Sequence, residues 1–199
     1  MSRFLVVLLG TFILLNTGGA WAQATKETDK PAANQDEKTK TIDIVTKGKL
    51  KFKVPGNWKK KQPKFPQIIE FEFEIPKVEG DERAGRMTIS TSGGSIQGNI
   101  TRWKGQFKNL DENDKKAYQK ETKTVGGLKV HLITLNGTFL DGSPMGPKTP
   151  RDDYRMQGMI IERDGKSSYF LKAYGGQKTM DANKAGIKRM FDSMQAADN

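Results

Sequence analysis

The side chains most often used for catalysis and metal binding are scarce in this sequence. It contains a single histidine, His131, and no cysteine. Without cysteine there is no thiol nucleophile, disulfide framework or thiolate metal site, and one histidine is too few for the usual zinc centres. His131 shares a predicted strand face with Ile133 and Leu135. We therefore predict that it is a packed, hydrogen-bonded core residue rather than an acid, a base or a metal ligand.

Carboxylates are the other group of side chains suited to holding a cation. Glu70, Glu72 and Glu74 alternate along one predicted strand, and alternate strand residues stand about 7 Å apart. That distance is too large to close around one calcium ion without further oxygen ligands. The acidic residues between positions 111 and 114 lie in a predicted loop, but their spacing matches no calcium-loop pattern. We predict solvated carboxylates and no metal site.

The glycine-rich stretch in the middle of the chain matches no catalytic motif. Gly93-Gly94-Ser95-Ile96-Gln97 lacks the last glycine of the G-x-S-x-G nucleophile elbow. Residues 93–98 also lack the lysine of a phosphate-binding P-loop. We predict no enzymatic activity, no catalytic residue and no cofactor.

The amino-terminal region is typical of an exported protein. Arg3, an apolar run over residues 4–15 and an A-x-A motif at 20–22 are the three parts of a secretory signal peptide. We predict cleavage of residues 1–22, the alternative being an uncleaved anchor, and a periplasmic or extracellular protein without a transmembrane segment after cleavage. Residues 23–41 lack large apolar side chains, which predicts a disordered polar linker.

The charge balance favours anionic partners. The formal net charge is +11, which suits a membrane surface, an acidic polysaccharide, a nucleic acid or an acidic protein. The alternative is a solubilising basic surface without a dedicated anion site. Since export removes the chain from nucleic acids, we expect an unidentified protein or an anionic envelope component as the partner.

The candidate partner-binding residues are basic side chains and one aromatic residue. Trp58 precedes a lysine-rich loop that has the proline residues Pro63 and Pro66, and we predict that this loop is exposed and anchored by the tryptophan. Further basic residues lie on the central helix and in the 141–153 loop. The predicted contact residues are Trp58, Lys59, Lys60, Lys61, Lys64, Arg102, Lys148 and Arg151.

A helix is predicted in the middle of the domain. Ile96, Ile100, Trp103 and Phe107 are spaced so that all four lie on one side of a helix. Ser95 is placed to accept a hydrogen bond from a free N–H group of the first turn. We predict that this helix covers one face of a sheet.

The rest of the domain, residues 42–196, alternates between strand patterns and turn signals. We predict that Gly126 and Gly127 form a hairpin turn and that 141–153 is the longest irregular segment. A closing helix is predicted over 181–194, capped by Thr179 or Asp181. The strands are predicted over 42–54 (a pair), 69–75, 85–91, 119–125, 128–139, 154–163 and 168–174. The sum is a single α+β domain with a largely antiparallel sheet covered by two main helices.

Charge alternation predicts one specific strand pair. Lys49, Lys51 and Lys53 have the same spacing as the glutamates of the 69–75 strand. Opposite charges facing each other on neighbouring antiparallel strands contribute about 0.2–1 kcal/mol per pair. We therefore predict that these two strands are neighbours.

Two motifs resemble known groups of proteins. Phe52-Lys53-Val54-Pro55-Gly56-Asn57-Trp58 resembles the strand–Pro–x–x–Trp opening of PsbP-like and Mog-type domains. The segment from Gly93 to Phe107 resembles a signature of uncharacterised secreted bacterial proteins. The resemblance covers residues 42–194. It implies an α/β/α sandwich and a non-enzymatic extracytoplasmic module that binds another protein, and it carries over no catalytic residue.

Overall fold

The computed structural model describes residues 40–143, 146–163 and 166–196. The predicted signal peptide and nearly all of the predicted linker lie outside these ranges. The strands are β1 (Thr41–Val45), β2 (Leu50–Pro55), β3 (Lys59–Lys61), β4 (Ile69–Ile75), β5 (Gly85–Ser92), β6 (Tyr118–Val125), β7 (Leu128–Gly142), β8 (Lys148–Ile161), β9 (Ser168–Gly176) and β10 (Gln195–Ala196). The helices are α1 (Ile96–Lys104), α2 (Gln177–Ala182) and α3 (Lys184–Asp192).

Two antiparallel sheets form the framework. The larger has seven strands in the order β3-β4-β5-β9-β8-β7-β6, and the smaller has three in the order β1-β2-β10. The predicted hairpin turn joins β6 to β7, where Gly126 and Gly127 have φ angles of 54° and 77°. Such positive φ values suit glycine because it has no side chain to clash. The fold is α+β, as predicted. Among the described residues, no helix has the length and apolar content that crossing a membrane requires.

The two faces of the large sheet bury separate apolar clusters. The first cluster lies between the large sheet and the layer of β1, β2 and α3, and includes Phe52, Phe73, Leu171 and Met190. The second cluster lies under α1 and consists of Ile100, Trp103, Phe107, Ile133, Leu135, Phe139, Met156, Ile160 and Phe170. Strand residues alternate between the clusters because successive side chains point to opposite faces. The predicted apolar side is confirmed for Ile96, Ile100 and Trp103, whereas Phe107 packs in the same cluster but lies beyond the end of α1.

The start of α1 is fixed by Ser95, as predicted. Its hydroxyl accepts a hydrogen bond from the Gly98 N–H at 3.0 Å. We expect Ser95→Ala to lower the free energy of unfolding by about 1 kcal/mol, because one N–H group of the first turn loses its partner. Urea unfolding followed by circular dichroism measures this. Ser95→Asp retains an acceptor at the same place and should recover most of the loss. An unchanged midpoint for Ser95→Ala would contradict the role of the cap.

The predicted pairing of the lysine-bearing and glutamate-bearing strands is wrong. β2 belongs to the three-stranded sheet, where Lys53 pairs with Asp43 at 2.9 Å. β4 instead lies between β3 and β5. A register shift near Ile69 also separates Glu70 from the other two glutamates. Glu70 accepts hydrogen bonds from the Lys47 N–H and from the Tyr169 hydroxyl. Alternation identifies the exposed face of a strand but not its neighbour, which explains the error.

The predicted irregular segment at 141–153 is largely strand. β7 extends to Gly142 and β8 begins at Lys148, with Leu140 opposite Pro150 and Asp141 opposite Thr149. A register shift between Gly137 and Phe139 leaves one extra residue on β8, between Arg151 and Tyr154, and Pro150 itself lies within the regular pairing.

The predicted closing helix is divided in two. Asn183 separates α2 from α3, and its side-chain amide donates to the carbonyl oxygens of Pro76 at 3.3 Å and Thr179 at 2.9 Å. Neither helix has a side-chain cap. The Thr179 hydroxyl, one of the two predicted caps, instead accepts from the Val78 N–H at 3.3 Å.

Candidate functional site

Trp58 lies in the core and not on a binding surface. Its side chain is 3% exposed, and the indole N–H donates to Asn183 Oδ1 at 3.2 Å. The predicted contact between Trp58 and a partner therefore needs correction, because the ring packs in the first cluster. The buried tryptophan anchors the beginning of β3.

The three lysines after Trp58 form an edge strand rather than the predicted loop. Lys59, Lys60 and Lys61 pair with β4, and all three are exposed. The Lys61 ammonium lies 3.3 Å from Glu74 Oε2, while Lys60 Nζ lies 5.0 Å from the centre of the Phe71 ring. Lysines at an open edge also disfavour pairing with another sheet.

The loop that follows β3 presents apolar side chains together with a lysine. Lys64 is exposed, and Phe65 and Ile68 are 52% and 55% exposed. The N–H groups of Ile68 and Ile69 both donate to the Phe65 carbonyl oxygen, at 3.0 and 2.8 Å, which closes a tight turn. We call residues 59–68 the basic segment: it has four lysines and no acidic residue.

Arg102 belongs to the framework of the central helix. Its guanidinium donates to Asn99 Oδ1. Asn99 is 2% exposed and donates to the carbonyl oxygens of Gly93 at 3.2 Å and Ser95 at 2.9 Å. The pair ties the end of β5 to the first turn of α1.

Lys148 and Arg151 lie far along the sheet from the basic segment. The Lys148 ammonium donates to the Ser143 carbonyl oxygen. Arg151 is beside a cleft of about 590 Å³ lined by residues 80–83, 150–154, 176–178 and 181. β4, β5 and β9 lie between β3 and β8, which carries both Lys148 and Arg151. The structure therefore does not bring the predicted residues together into one surface.

Charges of both signs line this cleft and pair with one another. Arg151 Nη1 lies 3.0 Å from Glu82 Oε2, and Arg83 Nη1 lies 3.3 Å from Asp141 Oδ2. Asp81 accepts from the Thr179 N–H at 2.6 Å. Within the described residues, no group of three histidine or acidic side chains is arranged to hold a metal ion. The cleft is lined by five acidic and three basic side chains, so it offers no excess of positive charge to an anionic partner.

The sequence does not predict a cluster of three cationic side chains that the structure brings together: Arg86 on β5, Lys172 on β9 and Arg102 on α1. Lys172 Nζ lies 4.6 Å from the centre of the Tyr174 ring and 5.6 Å from that of Phe139, and it donates to Gln106 Oε1. Burial, with the nearby charges of Arg86 and Arg102, lowers the pKa of Lys172 to about 7. The available signal was a lysine between Phe170 and Tyr174 on one face of an otherwise apolar strand.

Arg86 is held beside this lysine by a two-bond ion pair. Its Nε and Nη2 donate to the two Glu72 carboxylate oxygens, each at 2.8 Å, and its Nη1 donates to Tyr174 Oη at 2.9 Å. The hydrogen bond to Glu72 is the main cause of a raised Arg86 pKa. Arg86 therefore stays charged and is held by three hydrogen bonds, so this cluster has the character of a structural element.

His131 is a packed, hydrogen-bonded residue, as predicted. Its Nδ1 lies 2.9 Å from Thr122 Oγ1, and its Nε2 lies 2.6 Å from Glu162 Oε1. Hydrogen bonds from Lys129 and then from His131 lower the pKa of the Glu162 carboxyl. These contacts join β6, β7 and the end of β8, and they leave the imidazole no open side for a ligand.

Comparison with known proteins gives structural likenesses only. No family model and no curated protein matches the sequence. The chain is similar to a Pseudomonas aeruginosa protein of unknown function, with 12% identity, 80% of this chain and 99% of that chain covered, and a TM-score of 0.43. It is also similar to the cyanobacterial PsbP of Synechocystis sp. PCC 6803, with 13% identity, coverage of 78% and 92%, and a TM-score of 0.46. A third structure is LpqN of Mycobacterium tuberculosis, a protein involved in cell envelope biogenesis, with 13% identity, coverage of 80% and 91%, and a TM-score of 0.42.

Proposed function

We propose that this protein is an exported, non-catalytic binding module that engages an anionic protein or another anionic component of the cell envelope through its basic segment. The observation that carries the proposal is the set of four exposed lysines within residues 59–68, with no acidic residue among them. Such a local excess of one sign attracts an oppositely charged partner before contact.

The neighbouring carboxylates leave most of this charge uncompensated. Glu72 is engaged by Arg86, and Glu70 bonds to the Lys47 N–H and to Tyr169. Only the Glu74–Lys61 ion pair reaches into the basic segment among the described contacts. Because both groups of that pair are exposed, it contributes little to stability, and an anionic partner can displace it.

The backbone that carries the lysines is fixed before binding. β3 is hydrogen-bonded to β4, and the buried Trp58 precedes it directly. A partner therefore meets ammonium groups on a fixed strand, with Lys59 and Lys61 on one face and Lys60 on the other. Less conformational entropy is lost on association than with a free loop.

The test is salt-dependent binding of dextran sulfate, a soluble polyanion. We expect binding at about 50 mM NaCl and strong weakening at about 300 mM, where charges are screened within a few ångströms. Replacing Lys59, Lys60, Lys61 and Lys64 together by glutamine should lower the affinity by about tenfold or more. The affinity is measured by isothermal titration calorimetry.

A variant of equal charge change serves as the control. Lys108, Lys115, Lys116 and Lys120 are also exposed, and their joint replacement by glutamine should lower the affinity by less than about threefold. Equal losses in both quadruple variants would show that binding depends on net charge alone and would overturn the proposal.

A further inference from the structure

The exposed large apolar side chains of the described residues include two on one tight turn. Among the residues that the structure describes, they are Val45 at 53%, Phe65 at 52% and Ile68 at 55% exposure. Phe65 and Ile68 are on the tight turn of the basic segment, and Val45 ends β1. Single exposed apolar residues are ordinary on protein surfaces, but a group of them marks an interaction site.

Hydrogen bonds hold this turn beside the loop that follows β1. The N–H of Lys47, just after β1, donates to the carboxylate of Glu70, just after the basic segment. Tyr169 Oη reinforces the junction, accepting from the Gly48 N–H at 2.7 Å and lying 3.4 Å from Glu70 Oε2. The Phe65–Ile68 turn, which we call the apolar tip, is therefore held beside the loop that follows β1.

Lysines lie beside the apolar tip, and the carboxylate of Glu70 at its base is engaged by the Lys47 N–H and by Tyr169. Lys47 and Lys64 are exposed beside it, next to the three lysines of β3. The basic segment has four lysines and no arginine. Contact surfaces between proteins are enriched in arginine and depleted in lysine, whereas lysines around exposed apolar side chains suit the headgroup region of an anionic bilayer.

We infer that the apolar tip docks on an anionic phospholipid surface, with Phe65 and Ile68 entering the interface and the surrounding lysines contacting lipid phosphates. This inference rests on the proposed function and names phospholipid as the anionic partner. The turn that closes at the Phe65 carbonyl oxygen has Phe65 and Ile68 at its two ends, and both side chains are exposed. The lysines bring the protein to the surface, and the apolar pair retains it there.

The experiment is sedimentation with vesicles, using protein purified from the exported fraction with its amino terminus read by mass spectrometry. We expect binding to vesicles of phosphatidylcholine with about 30% phosphatidylglycerol and none to phosphatidylcholine alone. Phe65→Ser/Ile68→Ser should lower the vesicle affinity by about tenfold or more. The same variant should bind dextran sulfate within about twofold of the unchanged protein, because its charge is the same.

A fluorescent variant reports insertion directly. Phe65→Trp should retain vesicle binding, and its emission should shift to shorter wavelength with anionic vesicles but not with dextran sulfate. Trp58 and Trp103 are buried, so the unchanged protein serves as the spectral reference. If the Phe65→Trp variant sediments with anionic vesicles but its emission does not shift, Phe65 does not enter the interface and the inference is overturned.

The outcomes separate the inference from the proposed function. Binding of dextran sulfate with no binding of anionic vesicles overturns the docking on lipid and leaves the proposed function standing. Vesicle affinity unchanged in Phe65→Ser/Ile68→Ser also overturns it. If the unchanged protein binds neither dextran sulfate nor anionic vesicles, the proposed function is overturned as well.

Discussion

Gly158→Ala will lower the free energy of unfolding by about 2–4 kcal/mol, because it forces a methyl group into a filled space. A Cβ atom built at Gly158 would lie 2.2 Å from Cζ3 of Trp103 and 2.8 Å from two other atoms of the same ring. Trp103 is the large buried side chain of α1 and packs edge-on against Phe170, with ring centres 6.1 Å apart. Because the Trp103 ring is buried, relieving this overlap requires a shift of the ring or of α1. Urea unfolding followed by circular dichroism gives the loss.

A double-mutant cycle shows whether this contact is the cause. Trp103→Phe removes the outer ring that the new methyl group would strike, so Gly158→Ala should cost at least about 1 kcal/mol less in that background. Gly93→Ala is the matched control, since a Cβ atom there meets nothing within 4 Å. The same cost of Gly158→Ala in both backgrounds would rule out the contact with Trp103.

Lys172→Met will stabilise the protein at neutral and acidic pH, and the gain will shrink as the pH rises. The pKa of Lys172 is lowered from 10.5 to about 7 in the folded state by burial and by the charges of Arg86 and Arg102. Between these values the unfolded chain binds more protons at this lysine than the folded chain, so its contribution to stability rises with pH. Methionine fills similar space without a charge, so the variant lacks this dependence. The difference between the proteins should change by about 3–5 kcal/mol from about pH 6 to about pH 10.

Measuring both proteins over the whole pH range cancels the titration of every other group. Lys108→Met, at an exposed lysine, should give a difference that hardly varies with pH. The free energies of unfolding of the unchanged protein and of Lys172→Met are compared at each pH. If the two curves run parallel, or if the gain in the variant grows with pH, Lys172 is not neutral in the folded protein.

Elements that are specified locally could be predicted from the sequence. The helix of Ile100 and Trp103 was found because its apolar spacing and its Ser95 cap both lie within a few residues. The alternation of Phe71, Phe73 and Ile75 likewise identified β4. Strand neighbours could not be found in this way, since Glu72 meets Arg86 on β5 rather than a lysine on β2, and alternation contains no information on order.

Contacts between distant parts of the chain explain the other differences. The closing helix divides at Asn183, whose side chain accepts from Trp58, 125 positions away in the sequence. The lysines of the basic segment were recognisable because they are adjacent in the sequence. The lowered pKa of Lys172 could not be recognised in the sequence, because the burial of this lysine depends on Gln106 and Phe139, which lie in other parts of the chain.

The three-stranded sheet determines when the chain can finish folding. Its last strand pairs Gln195 with Lys51, and the Ser193 hydroxyl accepts from the Lys53 N–H at 2.9 Å, a contact that spans 140 positions. Hairpins such as β6–β7 need only local contacts and form early, whereas this long loop closes late. Until it closes, the apolar face of the large sheet lacks part of its cover. A partly synthesised chain therefore remains open to chaperones and proteases until its final strand is available.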